Sequence, residues 1–261
     1  MSKPARLDTE LVRRGLARSR AEAKRAIEQG HVLVGGIPAT KTTSMVTPAD
    51  PISVAPAARR FVSRGGEKLD GALGRMDVVV ENRRWLDVGA STGGFTDRLL
   101  QGGAAEVAAV DVGYGQLDWR LRNDPRVHVI ERTNARSLRP SDLPFVPDGV
   151  TADLSFISLT VVLEALVGCA APGADFVLMV KPQFEVGRQA VGRGGVVRDP
   201  ELWIQAVTKV TDAGRALGLG VAGVALSELA GPAGNREFFV HLRRGPDADP
   251  DALRRAVGEA G

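Results

Sequence analysis

The chain is poor in cysteine, histidine and aromatic residues, and each shortage removes a class of function. Its one cysteine, Cys169, allows no internal disulfide and no thiolate set for structural zinc. The three histidines, His31, His128 and His241, stand far apart, so no metal site is expected, and a reducing compartment is. No run of about 18 apolar residues occurs, and the opening stretch MSKPARLDTELVRRG lacks the apolar segment of a signal peptide. A soluble, cytoplasmic protein without a membrane partner is expected.

What is present suits a folded chain of ordinary composition. The 261 residues are 44% hydrophobic and 25% charged, enough for one large domain and a small one. The net charge of +3 conceals an asymmetry. Residues 1–60 hold 11 Lys/Arg against 5 Asp/Glu, a net of +6, and the remainder carries −3. A compact basic module at one end suits a polyanion such as nucleic acid.

Leu7, Leu11, Val12 and Leu16 recur at helical spacing. Ser19 and Glu22 then form a capping-box pattern, predicting a second helix from Arg20 to Gln29 that Gly30 ends. His31 to Val34 followed by Gly35-Gly36 reads as a strand entering a tight hairpin. Pro48, Pro51 and Pro56 mark the way out of this module. The expected organisation is a two-helix-plus-hairpin domain over 1–58, a linker over 59–65, a larger domain over 66–245 and a tail or short helix over 246–261.

From Arg84 short apolar strands alternate with helical stretches, the pattern of an α/β fold whose largely parallel sheet is covered on both faces. Strands are predicted at 84–88, 106–111, 127–130, 149–153 and 175–180, with helices at 95–101, 158–171 and 201–217. Two more strands, 220–227 and 236–243, are separated by the turn residues Gly231 to Asn235 and read as an antiparallel hairpin at the sheet edge.

Trp85 to Thr96 reads as a strand, a glycine-rich turn and a helix start, and the turn admits three ligands. The dinucleotide fingerprint is filled by Gly89, Ser91 and Gly94, without the middle glycine that lets a backbone approach pyrophosphate. Gly89 to Gly93 also satisfies the nucleophile-elbow pattern, with Asp153 and His241 following in hydrolase order. An elbow, however, belongs on a later, central strand, and no oxyanion-hole segment precedes it. The third reading is a nucleoside carrying a sulfonium and no phosphate. Asp87 would serve the cationic end and Asp111, at the tip of the next strand, the ribose hydroxyls.

Four charged residues stand in apolar or tightly turning contexts: Lys68, Asp153, Lys181 and Glu237. Two lysines and two acids converging beside a cofactor pocket would compensate one another's burial. Methyl transfer to a hydroxyl is an in-line displacement in which the acceptor must be oriented and relieved of its proton. Lys181 is expected to deprotonate or polarise that hydroxyl and Lys68 to stabilise the developing oxyanion, with Asp153 and Glu237 positioning the lysines.

These motifs resemble known families. Ser19-Arg20, Ala23, Ile27, Gly30, Val32, Val34 and Gly36 are similar to the small RNA-binding fold named after ribosomal small-subunit protein four. Lys68, Asp153, Lys181 and Glu237 resemble the catalytic tetrad of the FtsJ-like ribose methyltransferases. Together with Ser63 to Leu69, Asp87 to Thr96, Asp111 to Leu117 and Val180 to Glu185, the chain resembles the TlyA family over nearly its whole length.

The resemblance implies a Rossmann-like, class I methyltransferase sheet. It also implies 2′-O-methylation of cytidine in ribosomal RNA of the small subunit, the large subunit or both, with S-adenosylmethionine as cofactor. It assigns cofactor binding to Asp87, Gly89, Ser91, Thr92, Gly93, Phe95, Thr96, Asp111, Val112 and Asn134, and RNA binding to Arg6, Arg18, Arg20, Lys41, Ser63 and Arg64.

Two departures are visible, Gly35-Gly36 for the usual Asn-Gly and Phe61 where some members carry Trp. With aromatics at 5%, RNA recognition is expected to rest on phosphate and shape contacts rather than stacking. The stretch Gly187 to Gly195 is a candidate for closing over the target. The alternatives are a non-catalytic RNA-binding or ribosome-assembly protein, for which a broken tetrad would speak, and a haemolysin, for which no amphipathic insertion segment is evident.

Overall fold

A computed structural model describes residues 4–28, 30–54, 60–248 and 251–260. The chain divides into two compact units, Met1–Arg59 and Arg60–Gly261. Gln29, Pro56 and Arg59, which figure in the sequence expectations, lie outside the described residues.

The first unit holds β1 (Ala5–Arg6), α1 (Leu7–Arg13), α2 (Arg20–Glu28), β2 (Val32–Val34), β3 (Ile37–Pro38), β4 (Met45–Val46) and β5 (Ile52–Val54). Its core is Leu7, Leu11, Ala23, Ile27, Val32 and Val46. Leu16 departs from the expected stripe: α1 stops at Arg13, and Leu16 is 38% exposed beyond it. The capping box is half formed. Ser19 Oγ accepts from the Glu22 N–H, whereas the Glu22 carboxylate turns to the Arg18 N–H. Gly35 and Gly36 both have positive φ, 60° and 81°, as a two-residue primed turn between β2 and β3 requires. Beyond the expected hairpin, β5 completes a three-stranded sheet and β1 pairs with β4.

The second unit begins earlier than the expected linker allows. Phe61 is buried, Val62 N–H donates to Asp97, and Ser63 caps α3 (Arg64–Leu73). There follow β6 (Arg84–Val88), α4 (Gly94–Gln101), β7 (Glu106–Val110), α5 (Trp119–Arg122), β8 (Val127–Ile130), β9 (Gly149–Ala152) and α6 (Leu163–Cys169). The chain continues through β10 (Asp175–Val180), α7 (Pro182–Glu185), α8 (Pro200–Ala216), β11 (Leu219–Leu226), β12 (Phe238–Arg244) and α9 (Ala252–Gly258). Of the tail or short helix expected over 246–261, the structure has the helix: α9 buries Ala252, Ala256 and Val257.

The sheet order is β11-β12-β10-β9-β6-β7-β8, parallel from β10 to β8 and antiparallel at β12 and β11. Alternation along β6 sends Leu86 and Val88 to the face covered by α6 and α8, and Trp85 to the face covered by α3 and α4. The chain runs outward from β6 through β7 to β8, then returns to the other side of β6 as β9. That reversal opens a crevice at the carboxyl ends of the strands.

Candidate active site

A cavity of about 450 Å³ occupies this crevice. It is lined from the loop after β6 by Gly89 and Ser91, after β7 by Asp111, Val112 and Gln116, after β8 by Thr133 and Asn134, and after β9 by Asp153 to Ile157. Among the described residues no lysine or arginine lines it, while two carboxylates do. An acidic cavity of this kind repels a pyrophosphate, which removes the dinucleotide reading.

Gly89 has φ +80°, and a Cβ there would meet the Asp153 carbonyl oxygen at 2.6 Å, so the turn can pass close to β9 only as glycine. Asp111 Oδ2 accepts the Ser91 N–H at 2.8 Å and Oδ1 the Gly113 N–H at 2.6 Å. Those two bonds fix the carboxylate in the cavity wall and leave roughly two of its four acceptor sites free.

Five of the expected cofactor residues do not line the cavity. Asp87 is fully buried beneath the turn, where it accepts from the hydroxyls of Thr96 at 2.6 Å and Thr151 at 3.1 Å. Its orientation is fixed by β6, whose alternation places it inside rather than at the tip. Thr96 and Phe95 are buried on α4, Gly93 packs against Leu121 and Leu117, and Thr92 is exposed. Thr133, Gln116 and the run Leu154 to Ile157 were missed, because no spacing rule marks a loop after a strand as a wall.

Burial raises the Asp87 carboxyl from 3.8 to about 6, against the opposing hydrogen bonds of Thr96 and Thr151. A carboxyl raised on folding contributes stability that is complete below its unfolded pKa and lost as pH rises through the folded one. Asp87→Asn has no such dependence. Its stability relative to the parent protein should improve by about 2 kcal/mol between pH 4 and pH 7. Urea unfolding of both proteins at both pH values measures this, and a constant difference would refute it.

Beside the cavity, the tetrad forms two ion pairs. Lys181 Nζ lies 2.6 Å from Asp153 Oδ1 and donates to Ser155 Oγ at 3.1 Å. Lys68 Nζ, on α3, lies 2.5 Å from Glu237 Oε2, with both side chains almost completely buried. The β10–β12 ladder ends with Val180 opposite Phe238, so Lys181 and Glu237 occupy the next positions outward on adjacent strands. Asp153 follows β9, the strand on the other side of β10.

The hydrolase constellation does not form. His241 is buried and bonded to Asp175 at 2.7 Å, at the start of β10, the opposite end from Lys181. Cys169 lies buried on α6, where desolvation raises its thiol pKa. No helix among the described residues is long and apolar enough to cross a membrane. No cluster among them has the make-up of a metal site.

The stretch Gly187 to Gly195 is held at its end. Asn235, itself buried, accepts the Val197 N–H and donates to the Gly195 carbonyl. Few as they are, three aromatic residues stand open to solvent: Tyr114 on the loop after β7, Trp119 at the start of α5, and Phe156 on the loop after β9, the last 91% exposed at the cavity wall with φ +65°. Composition averaged over the chain hid this concentration.

In the first unit, Arg6 and Arg20 share the buried Asp8, whose carboxyl is held well below the usual range chiefly by Arg6. Arg13 and Arg14 hold Glu10 at about 2. The side chains of Arg18 and Lys41 are exposed with no acid partner among the described residues, and so is that of Arg25, which the sequence reading omitted. Ser63 is committed to capping α3, and Arg64 donates to the Ala230 carbonyl.

A doubly covered sheet of this order, an acidic cavity at its switch point and a lysine paired at the cavity wall define a methyltransferase of the Rossmann-like class. Residues 61–244 match the FtsJ-like methyltransferase family, and residues 5–52 match the S4 domain. The chain belongs to the FtsJ-like methyltransferases and, within them, to the TlyA family. It is 52% identical, over 99% of both chains, to the Mycobacterium tuberculosis 16S/23S rRNA (cytidine-2′-O)-methyltransferase TlyA. A Brachyspira hyodysenteriae protein named Hemolysin A is 36% identical over 91% of this chain and 99% of its own. A solved Streptococcus thermophilus structure that also carries the name hemolysin superposes with TM-score 0.75 at 37% identity, over 98% of this chain and 95% of that one.

Proposed function

We propose that this enzyme transfers a methyl group from S-adenosylmethionine to the 2′-hydroxyl of cytidine in ribosomal RNA of one or both subunits. The observation that carries the reading is the Lys181–Asp153 pair, because Asp153 and Ser155 line the cavity and both contact the lysine amine. A proton-handling group thus stands where a cofactor in the cavity would meet an acceptor.

The residues present fit the cofactor. Among the described residues two carboxylates and no cation line the cavity, Asp153 being paired with Lys181 at its edge and Asp111 left unpaired by a cation, as suits a sulfonium. Asp111 retains acceptor sites for two ribose hydroxyls, and Gly89, Ser91, Val112 and Asn134 complete the wall. When bound, S-adenosylmethionine supplies the electrophilic methyl group. Asp87 supports the turn from beneath and does not touch the ligand.

Lys181 Nζ orients the acceptor hydroxyl and, as the neutral amine, takes its proton; Asp153 then pairs with the ammonium that results, and Ser155 holds the group in place. Lys68 stabilises the developing oxyanion, and Glu237 compensates its buried charge. An assembly factor without catalysis would have no need of two intact pairs beside an acidic cavity.

The deciding experiment offers unmodified ribosomal subunits and methyl-labelled cofactor to the purified protein, then digests the RNA to nucleosides. Label in 2′-O-methylcytidine is expected. Label on a base, or none while the cofactor still binds, would overturn the reading.

Arg18, Arg25 and Lys41, without acid partners among the described residues, are proposed as phosphate contacts of the S4 domain. Arg6 and Arg20 would act there only in part, since Asp8 already engages both. Replacing the three free cations by Gln should weaken RNA binding and lower the slope of log K against log salt by roughly two. Titrations at several salt concentrations check this, and an unchanged slope excludes the assignment.

A further inference from the structure

Glu185 closes the Val180 to Glu185 motif yet has no part in the chemistry described above. It ends α7, four residues after Lys181, and its side chain is 1% exposed. Oε1 accepts the Leu159 N–H at 2.7 Å, and Oε2 accepts the Ser158 hydroxyl. Lys209 of α8 stands 3.4 Å from Oε2 and donates to the Glu185 carbonyl at 2.8 Å. A buried carboxylate is tolerated only with its lone pairs answered, and these partners answer them.

Two of these partners, Ser158 and Leu159, close one segment. Asp153 to Ser158 leaves β9 anchored at its first residue, whose N–H donates to the Val88 carbonyl, and at its last, which Glu185 holds. Between these anchors lie Ser155, bonded to Lys181, and Phe156, in a left-handed conformation that a bulky residue adopts only under constraint. The Lys181 to Glu185 segment is therefore tied to this loop twice, by the lysine at one end and by the carboxylate at the other.

We propose that Glu185 is a positioning residue for methyl transfer: it fixes the Asp153–Ser158 loop against the Lys181 segment and so sets the aim of the Lys181 amine. This rests on the catalytic reading of Lys181 above. Glu185 itself lines no part of the cavity and touches no reacting atom.

The test compares Glu185→Gln, Ser158→Ala and their double variant with the parent enzyme. Glu185→Gln keeps the side chain's size and one acceptor oxygen but loses the charge that answers Lys209. Single-turnover methyl transfer should slow by roughly tenfold or more in each single variant. Cofactor affinity and KM for the subunits should stay within about twofold. The double variant should be no slower than the worse single one, since both changes cut the same tie. Hydrogen exchange across residues 154–160 should quicken in both single variants, with the rest of the sheet unchanged.

Parent-like rates in folded Glu185→Gln, or rate losses that add in the double variant, overturn the proposal. So does unaltered exchange in that loop. If the parent enzyme itself transfers no methyl group, the catalytic reading fails first, and the exchange measurement still decides whether Glu185 orders the loop.

Discussion

Lys181→Ala is expected to lower the methyl-transfer rate by roughly 10²–10⁴-fold, while cofactor affinity stays within about twofold of the parent enzyme. The asymmetry follows from where the lysine sits. Its amine contacts only Asp153 and Ser155 of the loop after β9, whereas the rest of the wall that would hold the cofactor comes from the loops after β6, β7 and β8, which the lysine does not touch. The partner left behind, Asp153, keeps a buried Oδ1 that makes no hydrogen bond, so the fold should also lose about 1–3 kcal/mol. Calorimetric cofactor binding and single-turnover transfer separate the two effects. Parallel loss of binding and rate would make Lys181 a structural residue.

The second large effect concerns the Lys68–Glu237 pair and should appear in stability as well as activity. Both side chains are nearly inaccessible, so Glu237→Leu strands an ammonium without its carboxylate and should cost about 3–5 kcal/mol. Lys68→Met strands the carboxylate instead, at a similar cost. Changing both removes the charges together, and the double variant should recover most of the lost stability, since apolar replacements of a buried pair are often neutral. It should not recover turnover, because the oxyanion then has no cation beside it. Urea unfolding of the four proteins supplies the coupling energy. Strict additivity of the two losses, or a double variant with parent-like turnover, contradicts the roles given to these residues.

The large-scale architecture was legible because strands 84–88, 127–130 and 175–180 are short apolar runs bounded by turn residues, and burial on both faces demands that composition. The tetrad was legible for a related reason, since a charge at the end of an apolar strand has to be answered by another. The sequence misled where a residue's direction mattered. Asp87 carries the same signal as Asp111, an acid near a strand end, yet Asp87 belongs to the last turn of pleat inside β6 and Asp111 to the first position beyond β7. Asp87 lies opposite Ala109, so Asp111 stands two positions further out, and that step past the strand end exchanges core for cavity. Arg6 and Arg20 carry a contact that the sequence did not signal: Asp8, twelve residues from Arg20, pairs with both. Glu185 gave no signal, because its meaning lies in a loop 26 residues upstream.

Lys68 and Glu237 are 169 residues apart, and Glu237 immediately precedes β12, which inserts between β10 and β11. During synthesis the parallel strands, the acidic cavity and the Lys181–Asp153 pair all leave the ribosome before this last pair can close. Every residue that lines the cavity thus precedes Glu237 in the chain, and the second pair must await the segment that leads into β12. Competence is tied to completion: a protein truncated before Glu237 retains the pocket's lining residues and none of the second pair.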